Sequence, residues 1–442
     1  MDRITEIIEE LSKLPKGYIS KKKIKGKTYF YLQYPENGKL HSEYVSSSHV
    51  AELLASLSKR KALEKELKDI KDDASLFSKP SERAKRFTGS LMVGDVVAAK
   101  FKEGIMTYID EKICPFYVKR TKSIEGFLEN RCLDLSRPNA RVLLKFMKIS
   151  NKNKALVPLY SYGASISDNY WFKPSGSKKR YEDVRFDSDF YSEIALNGGI
   201  PQFMKSGSSS PELTNIGSFE KCWKRMGNEW WMIKKGDEDQ IFSELFSSKI
   251  ASKLGIDTAE YEYYEGNIRT KNFASQYNFE PMHSLCDDDE DYSHVYNILK
   301  TFGDDIADSY IALLFFDCLV YNVDRHNNNY GLMRDKKTGK VVSLAPNFDN
   351  NLSLLAYNKS LDQDPKRDGL IKIFVDFLRK NSDAMAAFKR VPIKKIDQKD
   401  VMEVISQIPI ERDADKITKF VISRYEYLMN IKTVILKTQS KK

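Results

Sequence analysis

Residues 321–331 read YNVDRHNNNYG, and the fold of the chain turns on how they are understood. An Asp, an Arg, a His and three Asn occupy six consecutive positions, 324–329. Directly before them runs DSYIALLFFDCLV (308–320), an apolar stretch of the kind that forms a buried helix. Such a polar cluster is either a solvated cap on a core helix or a place where chemistry is done. Downstream, APNFDN (345–350) puts a second carboxylate, Asp349, at the end of a short strand pattern.

The rest of the chain limits the choices. It has 442 residues, 41% hydrophobic and 30% charged, with a formal net charge of +10. That length predicts two or three domains of an ordinary folded protein. The basic balance favours phosphate-bearing partners without choosing among nucleotide, nucleic acid and anionic lipid. The five cysteines show no C-x-x-C spacing, which predicts reduced thiols and a cytoplasmic protein. MDRITEIIEELSKL has no continuous apolar core, so no signal peptide is expected, and no stretch is long enough for a membrane anchor.

The chain reads as four parts. Residues 1–75 form a helix–β-hairpin–helix accessory module: an amphipathic start, then TYFYLQYPENGKLHSEYV with Asn37–Gly38 as its turn, then a second helix. Residues 72–86 read as a linker. Residues 87–160 form a β-rich subdomain with a helix. Residues 161–280 carry the strand EWWMIKKG (229–236) and the helix EDQIFSELFSSKIASKLG, closed by Gly255. Residues 281–442 are largely helical, and HSLCDDDEDYSH (283–294) within them reads as a solvated acidic loop rather than a metal site.

The residue types at 324, 329 and 349 suit phosphoryl transfer. Two hard oxygen ligands can hold magnesium against phosphates, while a carboxylate receives the proton of an attacking hydroxyl. The Asp-x4-Asn spacing with a later Asp is also that of protein-kinase catalytic loops. Here, however, the order is Asp-Arg-His. NVDRHNNNYG followed by APNFDN resembles the HipA-like Ser/Thr kinases and, more distantly, the phosphoinositide kinases. SISDNYWFKP (165–174), ELTNIGSFEKCWKR (212–225) and EWWMIKKG resemble the same family in order, so the likeness covers about residues 120–440.

That resemblance implies an α+β, bilobal protein-kinase-like fold with a β-rich N-lobe and an α-helical C-lobe, and ATP and Mg2+ as cofactors. It implies Asp324 as catalytic base, and Asn329 and Asp349 as metal ligands. Lys234 would contact the phosphates, with Lys235 as its competitor, and Glu244 would be the ion-pair partner of that lysine. Gly217 and Ser218 would cover the phosphates, in a segment holding one Gly. Gln276 and Tyr277 would form the adenine-binding hinge. Arg325 and His326 would shape the loop, while Asn327 and Asn328 read as spacers. The resemblance further implies autophosphorylation, for which Ser206, Ser208, Ser209, Ser210 and Ser218 are the candidates. It also implies a bacterial toxin–antitoxin context: a DNA-binding antitoxin partner and a protein substrate, with aminoacyl-tRNA synthetases as precedent.

Two rival readings stand beside this one. A catalytically degenerate kinase fold could act as a nucleic-acid or protein-binding module through the basic N-terminal hairpin. Residues 20–34, SKKKIKGKTYFYLQY, interleave lysines with aromatics and so permit weak nucleic-acid binding, although the same aromatics could simply pack on the helices. A lipid kinase would share the D-R-H loop but not the upstream match.

Overall fold

The computed structural model describes residues 3–24, 27–36, 39–46, 48–77, 86–149, 153–199, 209–356 and 361–439. The chain separates into two compact units, Met1–Arg86 and Phe87–Lys442. Among the described residues there are several small antiparallel sheets and fourteen helices, and no helix is long and apolar enough to cross a membrane. All five cysteines are unpaired and buried.

The first unit runs helix Arg3–Ser12, strands β1 (Tyr18–Ile24), β2 (Lys27–Glu36) and β3 (Lys39–Val45), then helix Val50–Phe77. The expected single hairpin is thus corrected to a three-stranded meander. The lysine-rich segment is itself a strand, antiparallel to β2, with Tyr18 opposite Gln33 and Ile24 opposite Lys27. Lysine suits an edge strand because it discourages further pairing, so its lack of apolar alternation does not prevent strand formation. The expected Asn37–Gly38 turn lies outside the described residues. The second helix runs on to Phe77, into the segment expected to be linker, whose residues 78–85 also lie outside the described part.

The second unit begins with a sheet of β4 (Gly89–Val93), β5 (Val96–Lys102), β6 (Ile105–Tyr108) and β7 (Tyr170–Pro174), in the order β6-β5-β4-β7. Helices Phe116–Thr121 and Ile124–Glu129 close a core over it, built from Leu91, Phe101, Val118, Leu128 and Phe172. A second sheet follows: β8 (Lys221–Met226), β9 (Glu229–Lys234), β10 (Tyr261–Tyr264) and β11 (Asn267–Lys271), ordered β10-β11-β9-β8. A third holds β12 (Tyr277–Pro281), β13 (Gly331–Asp335) and β14 (Val341–Leu344).

The largest core belongs to the helices. Asp304–Val320 is buried along nearly its whole length, and Gly369–Lys380, Ser382–Arg390, Gln398–Ser406 and Ala414–Gln439 add to the same cluster. Gly369–Lys380 and Ser382–Arg390 are separate helices, because Asn381 ends one and caps the next with its side chain. Asx side chains bond their own backbone ahead of them and so interrupt helices.

Candidate active site

A helix and a strand bring the first two groups together. Helix Glu238–Leu254 starts on a capping box, in which Asp237 accepts the Gln240 amide at 2.9 Å while Gln240 accepts that of Asp237 at 3.0 Å. It ends at Gly255, φ +76°. Reciprocal capping of this kind fixes where a helix begins. It sets Glu244 fully buried two turns in. On β9, Met232 and Lys234 share one face, as i and i+2 residues must, and both line a cavity of about 370 Å³. Lys234 is buried and its ammonium is ion-paired with Asp349.

Helix Asp304–Val320 supplies the floor of the second pair. It ends on Tyr321 in the left-handed conformation, φ +57°, and the chain turns into the loop 322–330. Arg325 then does the organising. Its guanidinium bonds Asp317 of the helix at 2.9–3.3 Å, the carbonyls of Asn329 and Phe348 at 2.8 and 2.7 Å, and the side chains of Asn347 and Asn350, both at 2.8 Å. A buried guanidinium presents donors in a rigid fork, so it fixes whatever accepts them. One residue therefore ties the 324–329 loop to the 347–350 segment and holds Asn329 and Asp349 in register. Asp349 takes φ +60°, a conformation uncommon outside glycine and found at functional positions.

Asp324, Asn329, Asp349, Lys234, Gly217 and Ser218 all line the cavity. Lys235 does not. Asn329 donates its amide to the Asp324 carbonyl at 3.0 Å, which leaves its side-chain oxygen as an acceptor. Burial pushes the Asp324 carboxyl above its ordinary value; His326 opposes this and the Asp349 charge adds to it. Asp349 behaves oppositely. Burial alone would raise its pKa, but Lys234 and Lys221 hold it well below the carboxylate range.

Three expectations differ from the structure. Lys234 pairs with Asp349, not Glu244. The Glu244 carboxylate instead accepts the Asn350 amide through Oε1 at 2.8 Å, and its Oε2 is buried without a hydrogen-bond partner. Burial raises its pKa. Gln276 and Tyr277 do not line the cavity: Gln276 is exposed and Tyr277 pairs across to Asp335. The wall there is Asn272–Ala274 and Phe279–Pro281, where Phe273, Phe279 and Phe348 form an apolar cluster with centroids 5.3–5.9 Å apart. The turn holding Gln276 faces solvent, and the strand after it faces the cavity. Asn327, expected as a spacer, is buried. Its amide donates to the Asp287 and Asp289 carbonyls at 2.7 and 2.9 Å, and its oxygen accepts the Tyr330 hydroxyl at 2.7 Å. The acidic loop it anchors is solvated at Asp287–Asp291, and no metal-binding cluster of His, Cys, Asp and Glu exists among the described residues.

Sequence reasoning missed Lys221. It lines the cavity from β8, directly opposite Lys234 on β9. Burial and the neighbouring Arg137 lower its pKa to about 7. Gly217, φ +108°, allows this approach, since a Cβ there would stand 2.5 Å from the Lys221 ammonium. Arg137 holds the same segment from behind through the carbonyls of Asn215 and Gly217. A further wall comes from the first sheet and its helices: Phe127, Asn130, and Arg131 paired with Asp168 at 2.9 Å. The strand register alone, read across the Gly227–Asn228 turn, would have set Lys221 beside Lys234.

The donor set fits magnesium. Asn329 and Asp349 offer hard oxygens, the donors magnesium prefers. The cavity volume suits a nucleotide-sized ligand, which typical sites enclose in about 300–1,000 Å³.

The model of the HipA-like C-terminal domain family matches residues 209–416, and that of a domain of unknown function (DUF6788) matches residues 2–55. No curated protein matches the chain. Among solved structures, the proinflammatory kinase CtkA of Helicobacter pylori is 19% identical with a TM-score of 0.39, over 50% of this chain and 95% of that one. HipA of Shewanella oneidensis MR-1, solved with HipB and operator DNA, is 13% identical with a TM-score of 0.49, over 78% of this chain and 97% of that one.

Proposed function

We propose, from the premise that residues 209–416 belong to the HipA-like C-terminal domain family, that the chain is an ATP- and magnesium-dependent serine/threonine protein kinase. The observation that carries this reading is the gathering of Asp324, Asn329, Asp349 and Lys234 on one cavity, with Arg325 fastening both loops.

Asn329 and Asp349 would hold the metal, which when bound neutralises charge on the transferring phosphoryl group. Lys234 now neutralises Asp349. Released from it, the lysine would contact phosphate and turn toward Glu244, whose unpartnered Oε2 is a ready acceptor. Asp324 would orient the substrate hydroxyl and accept its proton. The phenylalanine-lined wall would take the adenine ring in place of Gln276 and Tyr277. Among the serines considered for autophosphorylation, Ser210 is buried, with its Oγ capping the turn Pro211–Thr214. Ser206 and Ser208 lie outside the described residues. Ser209 and Ser218 are exposed and are the serines we assign to self-modification. A DNA-binding antitoxin and an aminoacyl-tRNA synthetase substrate belong to the same reading.

The test is incubation with labelled ATP and magnesium, wild type beside Asp324→Asn, with phosphorylated residues mapped in the protein and in a cell lysate. Wild type should transfer phosphate. The variant should lose about 10²–10⁴ in rate, the usual worth of general-base help, and keep its ATP affinity. Transfer by the variant at the wild-type rate removes Asp324 from the mechanism. No transfer by wild type, with ATP still bound, identifies a binding module instead.

A further inference from the structure

Asn322 opens the loop 322–330 and is 1% exposed. Its backbone amide still donates to the Asp317 carbonyl at 2.9 Å, so the chain leaves the helix Asp304–Val320 in a fixed direction. Its side chain then makes three bonds. Nδ2 donates to Oδ1 of Asp317 and to Oδ1 of Asn350, both at 3.2 Å. Oδ1 accepts the Asp324 amide at 3.1 Å. An Asn side chain that accepts the amide two residues on closes a turn and fixes the backbone there.

The three bonds are not equivalent. Arg325 also donates to Oδ1 of Asp317 and of Asn350, at 2.9 and 2.8 Å. Both acceptors therefore keep a charged donor, the stronger kind, if the Asn322 amide is lost. Asn350 is held by Glu244 as well, which accepts its backbone amide at 2.8 Å. What Asn322 alone supplies, among the described residues, is the acceptor for the Asp324 amide.

That amide matters because of what it carries. Among the described residues, every hydrogen bond to Asp324 reaches its backbone. Asn322 takes the amide, and the carbonyl accepts Asn329 Nδ2 at 3.0 Å and the His326 amide at 2.9 Å. Asp324 lines the cavity, so the backbone aims its carboxylate there. Both donors to the carbonyl follow Asp324 in the loop. Asn322 precedes it and is bonded to the buried helix.

We propose that Asn322 is a positioning residue for phosphoryl transfer, acting through the backbone of Asp324 and not through the metal or the nucleotide. The proposal rests on the kinase reading above. A displacement of about 1 Å can cost on the order of 10² in rate, so Asn322→Ala should slow transfer at saturating ATP by about ten- to a hundredfold. ATP affinity should stay at the wild-type value, since Arg325 still holds the carbonyls of Asn329 and Phe348.

A double-mutant cycle with Asp324→Asn tests it. Residues that act through one group have non-additive effects, so Asn322→Ala should slow the Asp324→Asn protein by less than about threefold. The full-length protein is assayed with labelled ATP and magnesium, by transfer to itself and to a cell lysate. Calorimetric titration gives ATP affinity, and thermal melts show that each variant is folded. Asn322→Ser, whose hydroxyl accepts such an amide more weakly, should show a smaller loss with the same coupling. It carries the test if Asn322→Ala does not fold. The proposal is overturned if Asn322→Ala transfers at the wild-type rate, if its fold loss is the same with and without the Asp324 carboxylate, or if ATP affinity falls in step with rate. No transfer by wild type is a different result: it removes the kinase reading, and this proposal falls with it.

Discussion

Lys221 and Lys234 stand opposite each other on β8 and β9, an arrangement in which like charges repel. The repulsion is part of why Lys221 gives up its proton near neutral pH, after the larger effect of burial. Two cations facing one cavity make sense if a polyanion enters between them. Its presence would restore the Lys221 proton. Lys221 carries charge below its pKa of about 7 and loses it above, so ATP affinity should fall as pH rises through that value. Lys221→Met should bind ATP about tenfold more weakly at low pH, the worth of one charge-assisted hydrogen bond, and lose this pH dependence. Calorimetric titration, read as the ratio of wild type to variant, cancels the nucleotide's own protonation. A variant that binds as wild type does at pH below 7 removes Lys221 from the phosphate contacts.

At the scale of elements, the loop 322–330 is only as fixed as the helix beneath it. Asp317 sits inside the apolar helix Asp304–Val320, where a carboxylate would be costly without a partner. Arg325 is that partner, and the two are almost completely removed from solvent. Burial raises the Asp317 pKa even against the Arg325 charge. Asp317→Ala should therefore lower stability by about 3–5 kcal/mol, because it strands a buried guanidinium. It should also cost phosphoryl transfer at temperatures where the protein remains folded. Leu314→Ala, in the same helix but facing the core, should cost about 2–5 kcal/mol and leave transfer near wild type below its melting point. Thermal melts paired with rate measurements separate the two. Equal losses of rate in both variants would mean that the helix acts through general stability and not through Arg325.

At the scale of the whole molecule, the cavity wall contributed by the first sheet and its helices is fastened by one buried knot. Glu280 on β12 accepts the Phe116 amide at 2.6 Å and the Tyr170 hydroxyl at 2.7 Å, and it pairs with Arg334 of β13. Arg334 also donates to the Cys114 and Lys112 carbonyls at 3.0 and 2.7 Å. Segments more than a hundred residues apart in sequence thus meet on one ion pair. Glu280→Ala should destabilise by about 3–5 kcal/mol and weaken ATP binding, since Phe127, Asn130 and Arg131 lose their anchor. Unchanged ATP affinity in the folded variant would show that this wall serves packing alone. A chain starting at Phe87 should melt and bind ATP like the full-length protein, because the cavity is built entirely beyond that point. Weaker ATP binding by the shortened chain would give the N-terminal unit a share in the site.

Much of the candidate site was legible before any fold was known. Asp324, Asn329 and Asp349 follow from residue type and spacing, the helix Asp304–Val320 from its apolar run, and the end of the helix Glu238–Leu254 from Gly255. Those signals are local, so the sequence by itself determined them. Three things were decided by the tertiary structure. Lys221 joined the site through cross-strand register. The wall near Gln276 shifted to Phe279 because a turn faces water while the strand after it faces the cavity. Asn327 became a buried anchor because the 287–289 carbonyls needed a donor. Each depends on which distant group lies across a gap of a few ångströms, and side-chain pattern within one segment carries no record of that.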